Sequence, residues 1–360
     1  MVVDDSNMMK CALCKHKNAD KKGSHIIPFF IVESMHNIPG VKGRDYECSY
    51  SIDNTNAGIF IGRSILPDKI EKIFGYEKKQ EELQRLVNPY IRDNIFCTEC
   101  EKRLETIETF YSSRIHKVLK NKAILEKRNE ILLKDNNYLR LFWLSVIWRC
   151  SITKFGTFQL KEKFEEQIRK ILDKYLYVEL IRLRQNLDGQ CTDMTKLPLS
   201  VFFSPFNPKP TNNFLLLHPM HNKPYSSIIN EYVILLYEKA GHVGAIRQSF
   251  FSLEKKYQLK DLPNTNESTF HVHVIPLSDW LDIIENLINF KAEDFINKLR
   301  NRFSYLFTKI FNKKPSQEVL NDFIIELMKG NHTEAERYSK SHITEIAEYC
   351  IKKHIINEKN

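Results

Sequence analysis

The stretch that decides the fold is Cys11-Ala12-Leu13-Cys14 with Gly23-Ser24-His25-Ile26-Ile27-Pro28, completed far along the chain by Cys97-Thr98-Glu99-Cys100-Glu101. Each C-x-x-C pair supplies two thiolates at the spacing of a zinc knuckle. Four thiolates close a tetrahedral shell around one Zn²⁺ and leave no open position for a substrate. The spacing therefore predicts a structural zinc site at Cys11, Cys14, Cys97 and Cys100.

The residues around the two pairs predict an N-terminal ββα-type treble-clef zinc unit over residues 1–118. The second pair opens a helix, and a strand is expected from His25 to Val32. A long insertion at about 33–94, rich in Gly, Asn and Lys, separates the two halves of the unit. The helix is predicted from apolar residues at steps of three and four, which are Leu104, Ile107, Tyr111, Ile115 and Val118.

Residues 119–360 are expected to form a helical C-terminal region with a small antiparallel β-sheet at about 199–276. Trp143 and Trp148 are the expected core anchors. An amphipathic helix is predicted from one apolar face, formed by Phe164, Ile168, Ile171, Tyr175 and Val178. Short apolar runs between prolines predict strands at 199–203, 213–217, 231–237 and 269–275. The predicted fold class is thus α+β and predominantly helical.

Composition and charge limit the class of protein and of partner. The chain has 360 residues, 42% hydrophobic and 28% charged, which is typical of a folded protein. Its net charge of +9 fits a phosphate-bearing partner without requiring one. Only half of the eight cysteines are paired in motifs, the N-terminus resembles no signal peptide, and the most apolar run is too short to cross a bilayer. We therefore expect a cytoplasmic protein with reduced thiols and no membrane partner.

The motifs together resemble those of the HNH (His-Me finger) endonucleases, whose common pattern is C-x-x-C, D-H-I-x-P and L-C-x-x-C-N. They also resemble a group of bacterial proteins with S-H-I-I-P and C-x-x-C-E, followed by W-R, which corresponds to Trp148-Arg149 here. The resemblance to the HNH enzymes covers about the first 115 residues without the insertion. It implies a nuclease that hydrolyses phosphodiester bonds in DNA, or alternatively in RNA, and that acts in phage defence or restriction, with a partner protein of such a system.

The resemblance also implies roles for individual residues. His25 would be the general base that activates water, and a Mg²⁺ or Mn²⁺ ion would stabilise the developing charge. The family's metal-binding Asp and Asn or His positions are occupied by Ser24 and Glu101. Because serine is a poor ligand for a hard cation, binding of the metal ion would depend on carboxylates of the helix. Glu101, Glu105 and Glu108 share one face of that helix at i, i+4 and i+7.

Other interpretations of these residues stay open from the sequence. The three carboxylates also suit a solvated face near a helix N-terminus, and His25 also suits a packed structural histidine. Arg149 is interpreted as a buried ion-pair partner or as a substrate contact. The alternative function is a non-catalytic zinc-binding module that binds nucleic acid or a partner protein, with the S-H-I-I-P segment kept for packing.

Overall fold

The structure is a computed structural model that describes residues 9–36, 48–52, 57–61, 90–121, 130–189, 191–204, 214–243, 269–330 and 340–359. Helix is the predominant secondary structure, as expected. The helices are α1 Phe29–His36, α2 Thr98–Phe110, α3 Asn136–Ile152, α4 Glu162–Tyr175, α5 Leu180–Leu187, α6 Thr192–Thr195, α7 Leu277–Phe311, α8 Gln317–Met328 and α9 Lys340–Lys359. The strands are β1 Ser24–His25, β2 Cys48–Ile52, β3 Ala57–Ile61, β4 Ile91–Arg92, β5 Glu130–Leu133, β6 Leu199–Phe203, β7 Phe214–Asn222, β8 Tyr225–Asn230, β9 Tyr232–Leu236 and β10 Phe270–Val274.

The strand expected from His25 to Val32 is much shorter than predicted. β1 contains only Ser24–His25 and pairs antiparallel with β4. Pro28 ends the extended segment directly before α1, and its carbonyl accepts a hydrogen bond from the Ile31 N–H (3.0 Å). Proline has the backbone angle of a helix start, which explains why the apolar run after it coils into a helix. Of the insertion predicted at about 33–94, the structure describes the end of α1, the antiparallel pair of β2 and β3, and residues 90–94 with β4; the rest lies outside the described residues.

Helix α2 follows the predicted apolar period until a π-helical segment, Tyr111–His116, interrupts it. The predicted residues before and within that segment are buried, but Val118 is 37% exposed and Leu119 is completely buried instead. A π-turn adds one residue to the helical repeat. The extra residue rotates the buried face from Val118 to Leu119.

A six-stranded sheet follows the order β5-β10-β6-β9-β8-β7. The expectation of a purely antiparallel sheet is wrong, because β10 pairs with β6 in parallel. Two of its strands, β5 and β8, had no counterpart in the prediction. β8 is buried at every position, so it lacks the alternation of polar and apolar residues that would have identified it. β5 belongs to the sheet only through its pairing with the distant β10.

Helix α3 is the centre of the core. Trp143 and Trp148 are 0% and 1% exposed, and nearly every residue of the helix is buried, which is typical of a helix enclosed on all sides. Phe96, next to the second cysteine pair, lies with its ring centroid 5.8 Å from that of Trp148. The zinc-motif segment and the helical region therefore share one hydrophobic cluster.

The chain divides into two compact units, Met1–Ile283 and Ile284–Asn360. The boundary expected at 118/119 does not coincide with this division. The second unit has a separate core in which α7, α8 and α9 take part, consisting of Leu299, Phe303, Phe307, Phe323, Leu327, Ala347 and Cys350. Within the described ranges, none of the helices combines the length and apolarity required to cross a membrane.

Candidate metal centre and the adjacent strand–helix site

Two backbone turns present the four cysteines. In the first, the Cys11 N–H donates to the Lys17 carbonyl (2.8 Å) and the Lys15 N–H donates to the Cys11 carbonyl (2.9 Å). Lys15 has a φ of 62°, the left-handed conformation that folds this turn back. In the second, Cys97 caps α2 and Cys100 lies in its first turn. The Ala12 N–H donates to the Ile95 carbonyl (2.9 Å), which joins the two turns.

The four sulfur atoms fit a single metal ion. They all lie within 4.8 Å of one another, and a tetrahedral Zn²⁺ with ligands at about 2.3 Å places its sulfurs about 3.8 Å apart. Cys11, Cys97 and Cys100 are buried and Cys14 is half-buried. A hydrogen bond from Cys100 lowers the pKa of the Cys11 thiol to about 4. Among the described residues, no other group of three or more His, Cys, Asp or Glu side chains is placed to hold a metal ion.

Cationic side chains surround the cysteine cluster. Arg103 of α2 donates from Nη1 to Cys100 Sγ (3.8 Å) and to Asp173 Oδ1 (2.9 Å), and from Nε to the Leu176 carbonyl (2.8 Å). Arg169 of α4 donates to the Leu13 carbonyl (2.6 Å) within the first turn. Arg103 also pairs with Asp173, and Arg169 pairs with Glu166, so the two guanidinium groups connect the cysteine turns to α4. Neither arginine belongs to a sequence motif, so sequence reasoning missed both.

The structure brings Ser24 and Glu101 together beside this centre. The Ser24 hydroxyl donates to Glu101 Oε2 over 2.8 Å. Ser24 is 1% exposed and lies opposite Arg92 in the β1–β4 pair. Glu101 follows Cys100 directly and is half-buried on the first turns of α2. The two positions that the motifs single out, one on a strand and one on a helix, are therefore in direct contact.

His25 lies next to this contact and is half-buried. The backbone of His25 is held independently of its side chain. Arg149 Nη1 donates to the His25 carbonyl (2.8 Å), and the N–H of the same peptide, that of Ile26, donates to the Tyr90 carbonyl (2.8 Å).

The three carboxylates of α2 have different surroundings. Glu105 is exposed, whereas Glu108 Oε1 forms an ion pair with Arg149 Nη1 (2.6 Å). Burial raises the pKa of the Glu108 carboxyl, Arg149 lowers it, and the neighbouring Glu101 and Glu105 raise it further. The interpretation of Arg149 as a buried ion-pair partner is therefore confirmed. Of the three carboxylates, Glu101 is the one in contact with Ser24.

No protein-family model matches the chain, and neither a search of curated proteins nor one of solved structures found a match. The fold and the site themselves define the class of protein. It is a mostly helical protein with a mixed sheet and a four-cysteine cluster able to hold a metal such as zinc.

Proposed function

We propose that this protein is a metal-dependent nuclease of the HNH type that hydrolyses phosphodiester bonds in DNA, with RNA as the alternative substrate. The observation that carries the proposal is the 2.8 Å hydrogen bond between Ser24 and Glu101. It joins the residue before the histidine of the S-H-I-I-P segment to the residue after the second cysteine pair. In the HNH pattern these are the positions that share the catalytic ion.

The order of elements supports a treble-clef arrangement for the cysteine unit. A turn carrying Cys11 and Cys14 is followed by β1 and, after α1, β2 and β3, by its antiparallel partner β4; α2 comes next, with Cys97 at its N-cap and Cys100 in its first turn. Two strands and a helix joined by a metal at their open end form the ββα element of such nucleases. Zn²⁺, bound by the four thiolates, would have a structural role because no coordination position is left open.

His25 would act as the general base. In its neutral form the imidazole would take a proton from the water that attacks the phosphorus atom. Glu101, with Ser24 beside it, would hold a Mg²⁺ or Mn²⁺ ion, and Glu105, one helical turn further on, is exposed on the same face. When bound, that ion supplies stabilisation of the charge that develops on the phosphate and the leaving oxygen. The Glu108 carboxylate, paired with Arg149, serves to fix the helix.

The formal net charge of +9 supports a polyanionic substrate. We place the activity in the cytoplasm, in restriction or phage defence, where a partner protein controls it. That role follows from the resemblance of the motifs to HNH enzymes, and the remaining helical residues would supply recognition or a partner surface.

A second candidate is a non-catalytic zinc-binding module for nucleic acid or a protein partner. The burial of Ser24 favours it, because a hydroxyl that is 1% exposed and already donates to Glu101 is satisfied without any ion. In this reading the S-H-I-I-P segment has a packing role, with Ile26 and Ile27 in the core.

The two candidates are separated by one set of variants. Purified protein is incubated with supercoiled plasmid in Mg²⁺ or Mn²⁺, and zinc content is measured in parallel. We expect the wild type to nick the plasmid, and His25→Ala to reduce the rate about 100-fold or more while retaining one zinc. His16→Ala, which removes an exposed histidine of the first cysteine turn, is the matched control and should cut normally. Binding of DNA without cutting in either ion would instead favour the non-catalytic module.

A further inference from the structure

Arg149 is a fully buried side chain that touches both halves of the candidate site from a third element. It is 2% exposed and comes from the last turn of α3. Its Nη1 atom reaches the carbonyl of His25 on β1 and the carboxylate of Glu108 on α2. The guanidinium Nε lies 3.3 Å from the carbonyl of Ser145 on its own helix. One side chain therefore joins α3, β1 and α2.

The geometry points to Arg149 as the positioning residue of the proposed nuclease site, setting the direction of the His25 imidazole relative to the Glu101 face of α2. This inference rests on the proposed function. The peptide group after His25 is held at both ends, its oxygen by Arg149 and its N–H by the Tyr90 carbonyl. A peptide held at both ends fixes the ψ angle of His25, and with it the direction of the Cα–Cβ bond.

The other contact of Arg149 sets the position of the helix. Glu108 and Glu101 are separated by seven positions, which is two helical turns, so they lie on one face of α2. Because Arg149 binds Glu108 and the His25 carbonyl through the same nitrogen, it holds that face at a constant distance from the histidine backbone. A general base misplaced by about 1 Å loses on the order of 100-fold in rate. Arg149 acts through His25 and does not itself touch the reacting atoms.

The test compares Arg149→Met with Arg140→Met. Arg140 is an equally buried arginine on the same helix, 1% exposed, and is bonded to Asn136 and to the Leu197 carbonyl, neither of which belongs to β1 or α2. Both variants lose a buried guanidinium from α3. We expect Arg149→Met to reduce kcat about 100-fold with KM for plasmid within about two-fold, and Arg140→Met to leave kcat within about three-fold.

Amide hydrogen exchange tests the inference without relying on activity. We expect the Ile26 amide to exchange at least ten-fold faster in Arg149→Met, relative to amides of β6, and at an unchanged relative rate in Arg140→Met. If the wild type does not cut DNA, the proposed function fails while the exchange result still decides the role of Arg149. Unchanged exchange at Ile26 together with wild-type kcat would overturn the inference. If Arg149→Met does not fold, Glu108→Gln takes its place and should show the same two effects at about ten-fold in kcat.

Discussion

With zinc bound at the cysteine cluster, as we propose, its removal should unfold the first unit and leave the second one folded. The cysteine cluster is part of the main hydrophobic core, because Cys11, Cys97 and Cys100 belong to the same cluster as the residues of α3 and of the sheet. The second unit has a core of its own. Loss of the metal should therefore spread through Met1–Ile283 and stop at the boundary of Ile284–Asn360.

The expected magnitude follows from comparing two free energies. A structural Zn²⁺ site contributes about 10–16 kcal/mol of apparent binding free energy near pH 7. The net free energy of unfolding of a protein domain is about 5–15 kcal/mol. Because the metal term equals or exceeds the net stability, the first unit without zinc should be mostly unfolded at 25 °C.

The tryptophans allow the two units to be followed separately. All three tryptophans of the chain, Trp143, Trp148 and Trp280, lie in the first unit and are at most 1% exposed. During titration with a zinc chelator, tryptophan emission should shift to the red as zinc is released, with a ratio of one zinc per chain. Far-UV circular dichroism should retain the helical signal of the second unit.

Two variants control this experiment. Cys97→Ser should reproduce the red-shifted emission without chelator. Cys191→Ser should retain zinc and the wild-type spectrum, because Cys191 is a buried cysteine outside the cluster whose thiol donates to backbone carbonyls that a hydroxyl can also reach. The reasoning would be refuted if one zinc left the protein while tryptophan emission stayed unchanged, since the cluster would then be a peripheral site uncoupled from the core.

Two further predictions concern His116 and Arg103, which lie in the helical segment after the second cysteine pair. Burial lowers the pKa of His116 to about 3. The folded state keeps this imidazole neutral, so the free energy of unfolding falls as the pH drops below the unfolded pKa of about 6.5. Urea unfolding should show a loss of about 2 kcal/mol in that free energy between pH 6.5 and 5, and His116→Gln should lack the loss. Arg103→Met removes the hydrogen bonds to Asp173 and to the Leu176 carbonyl. It should reduce the free energy of unfolding by about 2–3 kcal/mol and speed the release of zinc to a chelator. A variant with wild-type stability and wild-type zinc release would contradict this role of Arg103.

The predictions from sequence succeeded where the pattern is local. The four-cysteine cluster is confirmed, because the C-x-x-C spacing itself places two thiols on one turn. The buried faces of α2 and α4 are confirmed as far as each α-helix extends. Val178 is 37% exposed because α4 ends at Tyr175, and Val118 is exposed because the π-helical segment rotates the face. The strand β6 has the bounds that its apolar run predicted.

The sequence by itself determined which residues carry the metal-binding chemistry and which faces of the helices are buried, because both depend on spacings within a few turns. The tertiary structure alone decided how the candidate site is assembled. Ser24 meets Glu101 only because β1 and β4 pair across the insertion, and Arg149 reaches the His25 carbonyl from 124 residues away. Glu108 forms an ion pair because the packing of α3 against α2 buries a guanidinium beside it, where a charge without a partner is strongly unfavourable. Such pairings depend on which elements pack together, and no spacing within one element encodes them.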